Sequence, residues 1–344
     1  MKKILCIYNP ELYDRYKKGI YPSHHIYGIA EIEQAGYPVK VIKVKKPWMN
    51  LWHVLKEKPS CIYIPFLRRR EFKYIFFFKI FRIINVPIIG INHLTQFHET
   101  KLSTFYTTML FKAVDVNFFL SPLNMEESID LGLMEKEKCK ILNWGPDLNF
   151  YNKFCNLEGS DGFYISTGKE YRDYFTLLEA FKKIPNETLK IYTCEKHLDY
   201  NYSNMRDCIY TNNIDVNIIN NDELSFFNLS LITAKSKAIV IPLLENKINY
   251  CVGLSSIADA FAFGKAILVT NNSYHPIDVE EEGCGKKIKA GDCISWKETI
   301  TGLSSEEIIS MGKRSKMIGE KRYNMQICGK QIIHEINLIV KDIV

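Results

Sequence analysis

Residues 239–270 read IVIPLLENKINYCVGLSSIADAFAFGKAILVT, and this stretch decides the fold class. It opens on an apolar run of strand length that ends at Pro242. A polar loop follows, and Gly253-Leu254-Ser255-Ser256 then opens a helical segment that Gly264 stops. A second apolar run starts at once and ends at Thr270. Glycine and serines at a helix N-terminus offer free backbone N–H groups at the positive end of the dipole, which suits a diphosphate. Asp259 lies one turn inside, where a carboxylate could accept hydrogen bonds from ribose hydroxyls. The same spacing also fits a capping box of Ser256 and Asp259 with no ligand, and spacing alone favours the cap.

Strand–helix alternation extends both ways from this stretch. In the second half, apolar runs recur at 163–167, 189–193, 216–219, 238–241 and 266–270. In the first half they recur at 4–8, 39–44, 61–64, 88–91, 116–120 and 139–142. Ile26, Ile29 and Ala30 have helical spacing closed by Gly36, and Ser121-Pro122 reads as a cap and first turn of a helix ending near Gly132. Between the halves, 143–147 and the polar stretch to Gly162 read as turn and linker. Ser304 to Glu307 matches a capping box, and the segment from about Tyr323 onward is helical in pattern. The expectation is α/β: two Rossmann-like, doubly wound parallel-sheet domains facing across a cleft, with ligands beyond the carboxyl ends of the strands. The boundaries expected are 1–155, 156–322 and a C-terminal helix at 323–344.

Composition narrows the function. A length of 344 residues with 47% hydrophobic and 24% charged residues suits two folded domains. A net charge of +6 accommodates phosphate-bearing ligands or an anionic membrane but does not argue for nucleic acid. Ten cysteines without a C-x-x-C pair argue against zinc and a disulfide framework, and fit a reducing cytoplasm. Residues 1–10 read as a first strand rather than a signal peptide, and no apolar run reaches spanning length. No G-x-G-x-x-G follows the first strand and no P-loop occurs. Without an Asp-x-Asp pair or a His/Cys cluster, no metal and no cofactor is expected.

From Val240 onward the chain resembles the donor-site block of GT-B glycosyltransferases, especially glycosyltransferase family 4. There a strand ending in proline leads through a loop to Gly-x-Ser/Thr-Ser/Thr, an acidic residue and Ala-x-Ala-x-Gly-Lys. The matching residues are Gly253, Ser255, Ser256, Asp259, Ala260, Ala262, Gly264 and Lys265. The family's ribose-binding residue is commonly Glu, with a second Glu eight positions upstream; here these places hold Asp259 and Cys251. Residues 165–174 and 176–181 resemble the family's strand, Gly-Arg loop and Leu-Leu-x-Ala-Phe helix. The resemblance implies that Gly168, Lys169 and Arg172 meet the donor pyrophosphate, although two solvated surface cations would leave the same trace. Residues 87–93 resemble the strand leading to a cleft histidine, and Ser121-Pro122 and 144–151 its closing landmarks. His93 would then face sugar or acceptor, with a hydrogen-bonded structural histidine as the alternative. His24 and His25 lie where acceptors bind in such folds. The first loop, from Asn9 through Arg15, Lys17 and Lys18 to Gly19, reads as solvated.

The resemblance implies a glycosyltransferase of the hexosyltransferase type, using a UDP- or GDP-linked sugar and a glycan or lipid-linked acceptor, with retention of configuration. Surface-polysaccharide or glycolipid synthesis of a bacterial type is the implied setting, with His93, Lys169 and Arg172 as catalytic residues. Two other readings stay open. One is a nucleotide-sugar epimerase of the same fold; the other is a module that binds nucleotide or a partner without turnover, consistent with Cys251. Finally, residues 66–82, FLRRREFKYIFFFKIFR, interleave aromatics and cations. Such a helix can pack under the sheet with its cations snorkelling, or rest on an anionic membrane. The expected location is the cytoplasm, with a peripheral seat at the inner face of the cell membrane open to it.

Overall fold

A computed structural model describes residues 2–96, 100–154, 161–197, 199–209, 211–219, 225–245, 250–271 and 276–341. By internal contacts the chain forms two compact units.

The first unit holds residues 2–144, 250–251 and 325–341 of those described. Its sheet is built from β1 (Ile4–Tyr8), β2 (Val39–Lys43), β3 (Cys61–Ile64), β4 (Ile88–Asn92), β5 (Val116–Phe119) and β6 (Cys139–Ile141). All pairings are parallel and the order is β2-β1-β3-β4-β5-β6. The central strands are apolar along their length because helices cover both faces. The helices are α1 (Pro10–Lys17), α2 (Ile29–Gln34), α3 (Pro47–Glu57), α4 (Arg69–Ile80), α5 (Lys101–Phe111) and α6 (Pro122–Asp130). The crossovers carrying α3 to α6 advance in one direction across the sheet, while that carrying α2 runs the other way. Right-handed connection therefore puts α3 to α6 on one face and α2 on the opposite one.

Two features here differ from the sequence reading. The first loop contains α1, capped by the Asn9 side chain with Pro10 in its first turn. The C-terminal helix, Met325–Lys341, is part of the first unit: Gln331 Nε2 donates to Ile141 O at 3.2 Å and Lys2 Nζ to Val340 O at 2.7 Å. The change of unit falls at Trp144 and Gly145, whereas the seam expected at 155/156 lies outside the described residues.

The second unit contains α7 (Leu148–Tyr151), β7 (Phe163–Thr167), α8 (Tyr174–Phe181), β8 (Thr188–Thr193), a two-residue hairpin of β9 (Lys196–His197) and β10 (Tyr200–Asn201), and β11 (Ile214–Ile218). It continues with α9 (Phe226–Ala234), β12 (Ala238–Ile241), α10 (Leu254–Phe263), β13 (Ala266–Thr270), β14 (Gly285–Ile288), α11 (Cys293–Gly302) and α12 (Ser305–Lys321). The sheet is again parallel, in the order β11-β8-β7-β12-β13-β14. The capping box of Ser304 and Glu307 forms at the start of α12. Gly283 turns the chain at φ +66°, and Gly285 opens β14, against Ile267.

In both sheets the strand order reverses once, between β1 and β3 and between β7 and β12. Open α/β sheets leave a crevice for ligands at such a reversal, beyond the carboxyl ends of the strands. The candidate residues gather at these two places.

Candidate active site

In the second unit, β7 ends at Thr167 and Gly168 turns the chain at φ +116°. The loop then runs antiparallel to the chain leaving β12. Asp173 N–H donates to Pro242 O at 3.1 Å, Leu244 N–H to Tyr171 O at 2.9 Å, and Arg172 bridges Leu243. Tyr171 sits at φ 52°, a conformation that a non-glycine residue keeps only when its surroundings hold it.

This pinning directs Arg172 inward. Its residue is 4% exposed, with Nε donating to Thr167 O at 3.2 Å, Nη1 to Glu170 O at 3.0 Å and Nη2 to Ser256 Oγ at 3.2 Å. Gly168 is required beneath it, since a Cβ there would lie 2.5 Å from Nη2. Burial pushes the guanidinium pKa down from its ordinary value, opposed by nearby Tyr174, Tyr202 and Glu170. Among the described residues no carboxylate forms an ion pair with Arg172. Of the two sequence readings for this loop, solvated cations describe Lys169, which is exposed, but not Arg172.

The helix facing it is open at its start. Gly253 is the N-cap of α10, at φ +88°, and among the described residues no side chain caps the helix. Ser256 and Asp259 therefore do not form a capping box. Ser256 is buried and turned to Thr167 and Arg172, while Leu254 is buried and Ser255 exposed. The site thus holds a desolvated guanidinium, an exposed ammonium and an uncapped helix N-terminus, three positive features suited to an anion.

Asp259 is turned toward Tyr151. Its Oδ1 accepts from the Tyr151 hydroxyl at 2.5 Å, and burial raises its pKa to about 7 against the lowering effect of that hydrogen bond. Cys251, at the place of the family's upstream carboxylate, is a half-buried thiol that desolvation pushes up to about 12.

In the first unit, the strand-order reversal is lined by an aromatic and imidazole cluster. His93, just after β4, is 9% exposed and stacks on Phe66 with centroids 4.0 Å apart and on the edge of Tyr27 at 4.9 Å. Its Nε2 lies 2.9 Å from Pro65 O, an acceptor only, so Nε2 carries the proton and Nδ1 the lone pair. The His24 and His25 rings lie tilted with centroids 4.2 Å apart, beside Trp144, whose indole N–H donates to His24 O at 3.0 Å. The Tyr8 hydroxyl donates to His25 O at 3.0 Å and that of Tyr63 to Tyr27 O. Burial lowers the pKa of His25 and His93 to about 4 and takes His24 well below its ordinary value, so all three are neutral near pH 7. All three histidines are desolvated, and the His93 ring is fixed by its hydrogen bond to Pro65 O.

Sequence reasoning passed over several supporting residues. Tyr174 O–H donates to Gly168 O at 2.6 Å, and the Tyr202 hydroxyl accepts from Arg172 N–H at 3.3 Å. Tyr151 was available in the 144–151 landmark, but nothing local pairs it with Asp259. Among the described residues no group of three or more His, Cys, Asp or Glu converges as metal ligands would.

No family model matches the chain, and no curated protein matches it significantly. Solved structures do. A glycosyltransferase from Rickettsia africae matches with a TM-score of 0.74 at 12% identity, over 98% of both chains. Anabaena HepE in complex with UDP matches at 0.65 and 14% identity, over 97% of this chain and 99% of that one. A putative UDP-N-acetylglucosamine 2-epimerase from Listeria monocytogenes matches at 0.64 and 12% identity, over 99% and 97%. At such identities the likeness speaks for the fold. This chain has the two-Rossmann architecture of the GT-B type, shared by glycosyltransferases and an epimerase alike.

Proposed function

We propose that this chain is a hexosyltransferase that takes a sugar from a UDP- or GDP-linked donor and passes it, with retention, to a glycan or lipid-linked acceptor. The observation that carries the reading is Arg172, a buried guanidinium with no carboxylate partner among the described residues, held against the uncapped start of α10. Burying a cation without a counter-charge is costly, and a diphosphate would supply that charge. Two of the three solved structures named above carry UDP in their descriptions, which supports UDP first.

In transfer, the bond between the anomeric carbon and the diphosphate oxygen breaks and its electron pair goes to that oxygen. Arg172, Lys169 and the first turn of α10 would receive the developing charge without reorganising, as fixed donors do best. The acceptor oxygen bonds to the anomeric carbon, and its proton passes to the departing diphosphate oxygen. Gly253, Leu254, Ser255 and Ser256 would provide the phosphate-facing backbone. His93 is proposed to face the sugar or acceptor through Nδ1, with His24 and His25 on the acceptor side. Asp259 would reach the ribose only after exchanging its bond from Tyr151. No metal is proposed to take part, and the setting proposed is surface-polysaccharide or glycolipid synthesis at the cytoplasmic side.

A second reading, a nucleotide-sugar epimerase, has the Listeria match and the proton-holding Asp259 in its favour. Screening UDP, GDP and their sugars by thermal shift, then assaying nucleotide release with candidate acceptors, separates the readings. Acceptor-dependent release supports transfer. Interconversion of two UDP-sugars without release would assign the epimerase, and a thermal shift with neither reaction would leave a binding module.

A further inference from the structure

The outer face of α3, α4 and α5 does not fit a helix layer that meets only water. Each helix buries one apolar stripe against the first sheet: Leu51 and Val54 on α3, Phe72 and Phe76 on α4, Leu110 and Phe111 on α5. Each also carries a second apolar stripe turned outward. Trp48 and Trp52 on α3 are 59% and 51% exposed, Phe77 and Phe81 on α4 and its cap 40% and 59%, and Leu102 and Phe105 on α5 77% and 67%. One stripe per helix is the rule for a surface helix, and isolated exposed apolar residues are ordinary. Six large ones on three adjacent helices of one layer make a patch of the kind that marks an interaction surface.

Charge selects the partner. Residues 45–112 contain twelve Lys and Arg against three Asp and Glu, while the whole chain has a surplus of only six. The cations of this segment therefore outweigh a net acidic remainder. Arg68 and Arg70 are exposed at the start of α4, and Lys56 and Lys73 lie over the rings of Trp52 and Tyr74 at 4.9 and 5.2 Å. Aromatics set among cations match the boundary of an anionic bilayer, where rings enter the headgroup level and cations meet lipid phosphate. Among the described residues no helix is long and apolar enough to cross a membrane, so the contact is with a surface.

We propose that the three-helix face of α3, α4 and α5 seats the first unit on an anionic lipid bilayer. The proposal does not rest on the transferase reading. Its scope is wider than the 66–82 helix, since α3 and α5 contribute four of the six outward side chains. Neither is Arg69 part of the lipid contact: its Nη1 donates to Ser103 O at 3.2 Å and to Ser103 Oγ at 3.1 Å, holding α5.

The test uses the full chain and vesicles of phosphatidylcholine with or without phosphatidylglycerol. Binding is expected only with phosphatidylglycerol and should weaken as salt is added. Brominated lipid should quench Trp48 and Trp52, whereas Trp144 and Trp296 are buried and stay silent. Replacing Arg68, Arg70 and Lys73 together by Gln should weaken binding by roughly 100-fold, at about fivefold per cation. The quenching measurement needs no substitution, so it stands if a variant misfolds. Equal binding to phosphatidylcholine alone, unchanged binding of the triple variant, or absent quenching would overturn the proposal. A lipid-free dimer that shields both tryptophans from a soluble quencher would overturn it too, giving the face to a second copy.

Discussion

Arg172 Nη2 donates to Ser256 Oγ across 3.2 Å, which ties the loop after β7 to the first turn of α10. Arg172→Ala should lower turnover on the order of 10²–10³-fold, the scale seen when one preorganised donor to a developing anion is lost. Arg172→Met keeps the volume and removes the charge. It should leave thermal stability within ~1 kcal/mol of the parent or raise it, because no buried charge remains to be compensated, while abolishing stabilisation by UDP. Unchanged turnover in the Ala variant, or a full UDP shift in the Met variant, would remove Arg172 from the site.

Lys169 is exposed, and its ammonium is a mobile point charge where Arg172 is a fixed fork. Lys169→Ala should therefore be milder than Arg172→Ala, about tenfold in turnover. If these two cations and α10 stand in for a metal, transfer continues in excess chelator. Activity lost to chelator and restored by magnesium or manganese would defeat that assignment.

Asp259 gives a stability signature of its own. With its pKa raised from an ordinary carboxyl value to about 7 in the folded chain, the protonated side chain favours the fold below about pH 4. That contribution is lost as pH rises through about 7. Asp259→Asn should match the parent near pH 4 and exceed it near pH 8 by on the order of 2–4 kcal/mol. Denaturant melts at the two pH values measure this, and a gap that does not widen with pH would show that the carboxyl ionises freely.

The three histidines of the first unit act with opposite sign. Their folded pKa values lie below the ordinary value of ~6.5, so the unfolded chain binds more protons as pH falls. The stability they contribute is present above pH ~6.5 and is lost as pH falls toward 4, by up to ~1.4 kcal/mol per pH unit for each histidine. His93→Gln should flatten that acid slope by one proton's worth. For function, His93→Ala should depress kcat far more than donor affinity. No ionisation of kcat between pH 6 and 8 should disappear with it, since His93 stays neutral there. A variant with full kcat would return His93 to a packing role.

Most strands were legible because parallel strands buried on both faces are continuous apolar runs, as at Ile4–Tyr8 and Ala266–Thr270. β14 escaped because Gly285-Lys-Lys-Ile buries only its ends, and its glycine serves close approach: a Cβ would sit 2.0 Å from Ile267 O. The helix α1 hid behind its charges, although Asn9-Pro10 carried the start signal. At the site, residue types and loops could be read, but burial could not. An arginine is ordinarily solvated, and only the backbone bridge to Leu243 turns Arg172 inward. The partners of Asp259 and His93 come from Tyr151 and Pro65, distant in sequence and invisible to any local pattern.

The return of the chain to the first unit at Met325 has a consequence for dissection of the molecule. Apart from 250–251, which belong to the first unit, the second unit is a guest spliced into its host, entered at Gly145 and left at Asn324, and its two ends touch: a Cβ on Gly145 would meet Tyr323 O at 2.1 Å. The host, by contrast, is discontinuous and closes through its own termini, Lys2 on Val340. A fragment running from the linker to the chain end would carry Cys328, Ile332 and Ile336 stripped of the surface that buries them. The described residues of the second unit thus all lie within 145–324, with parts of the first unit on both sides in the sequence.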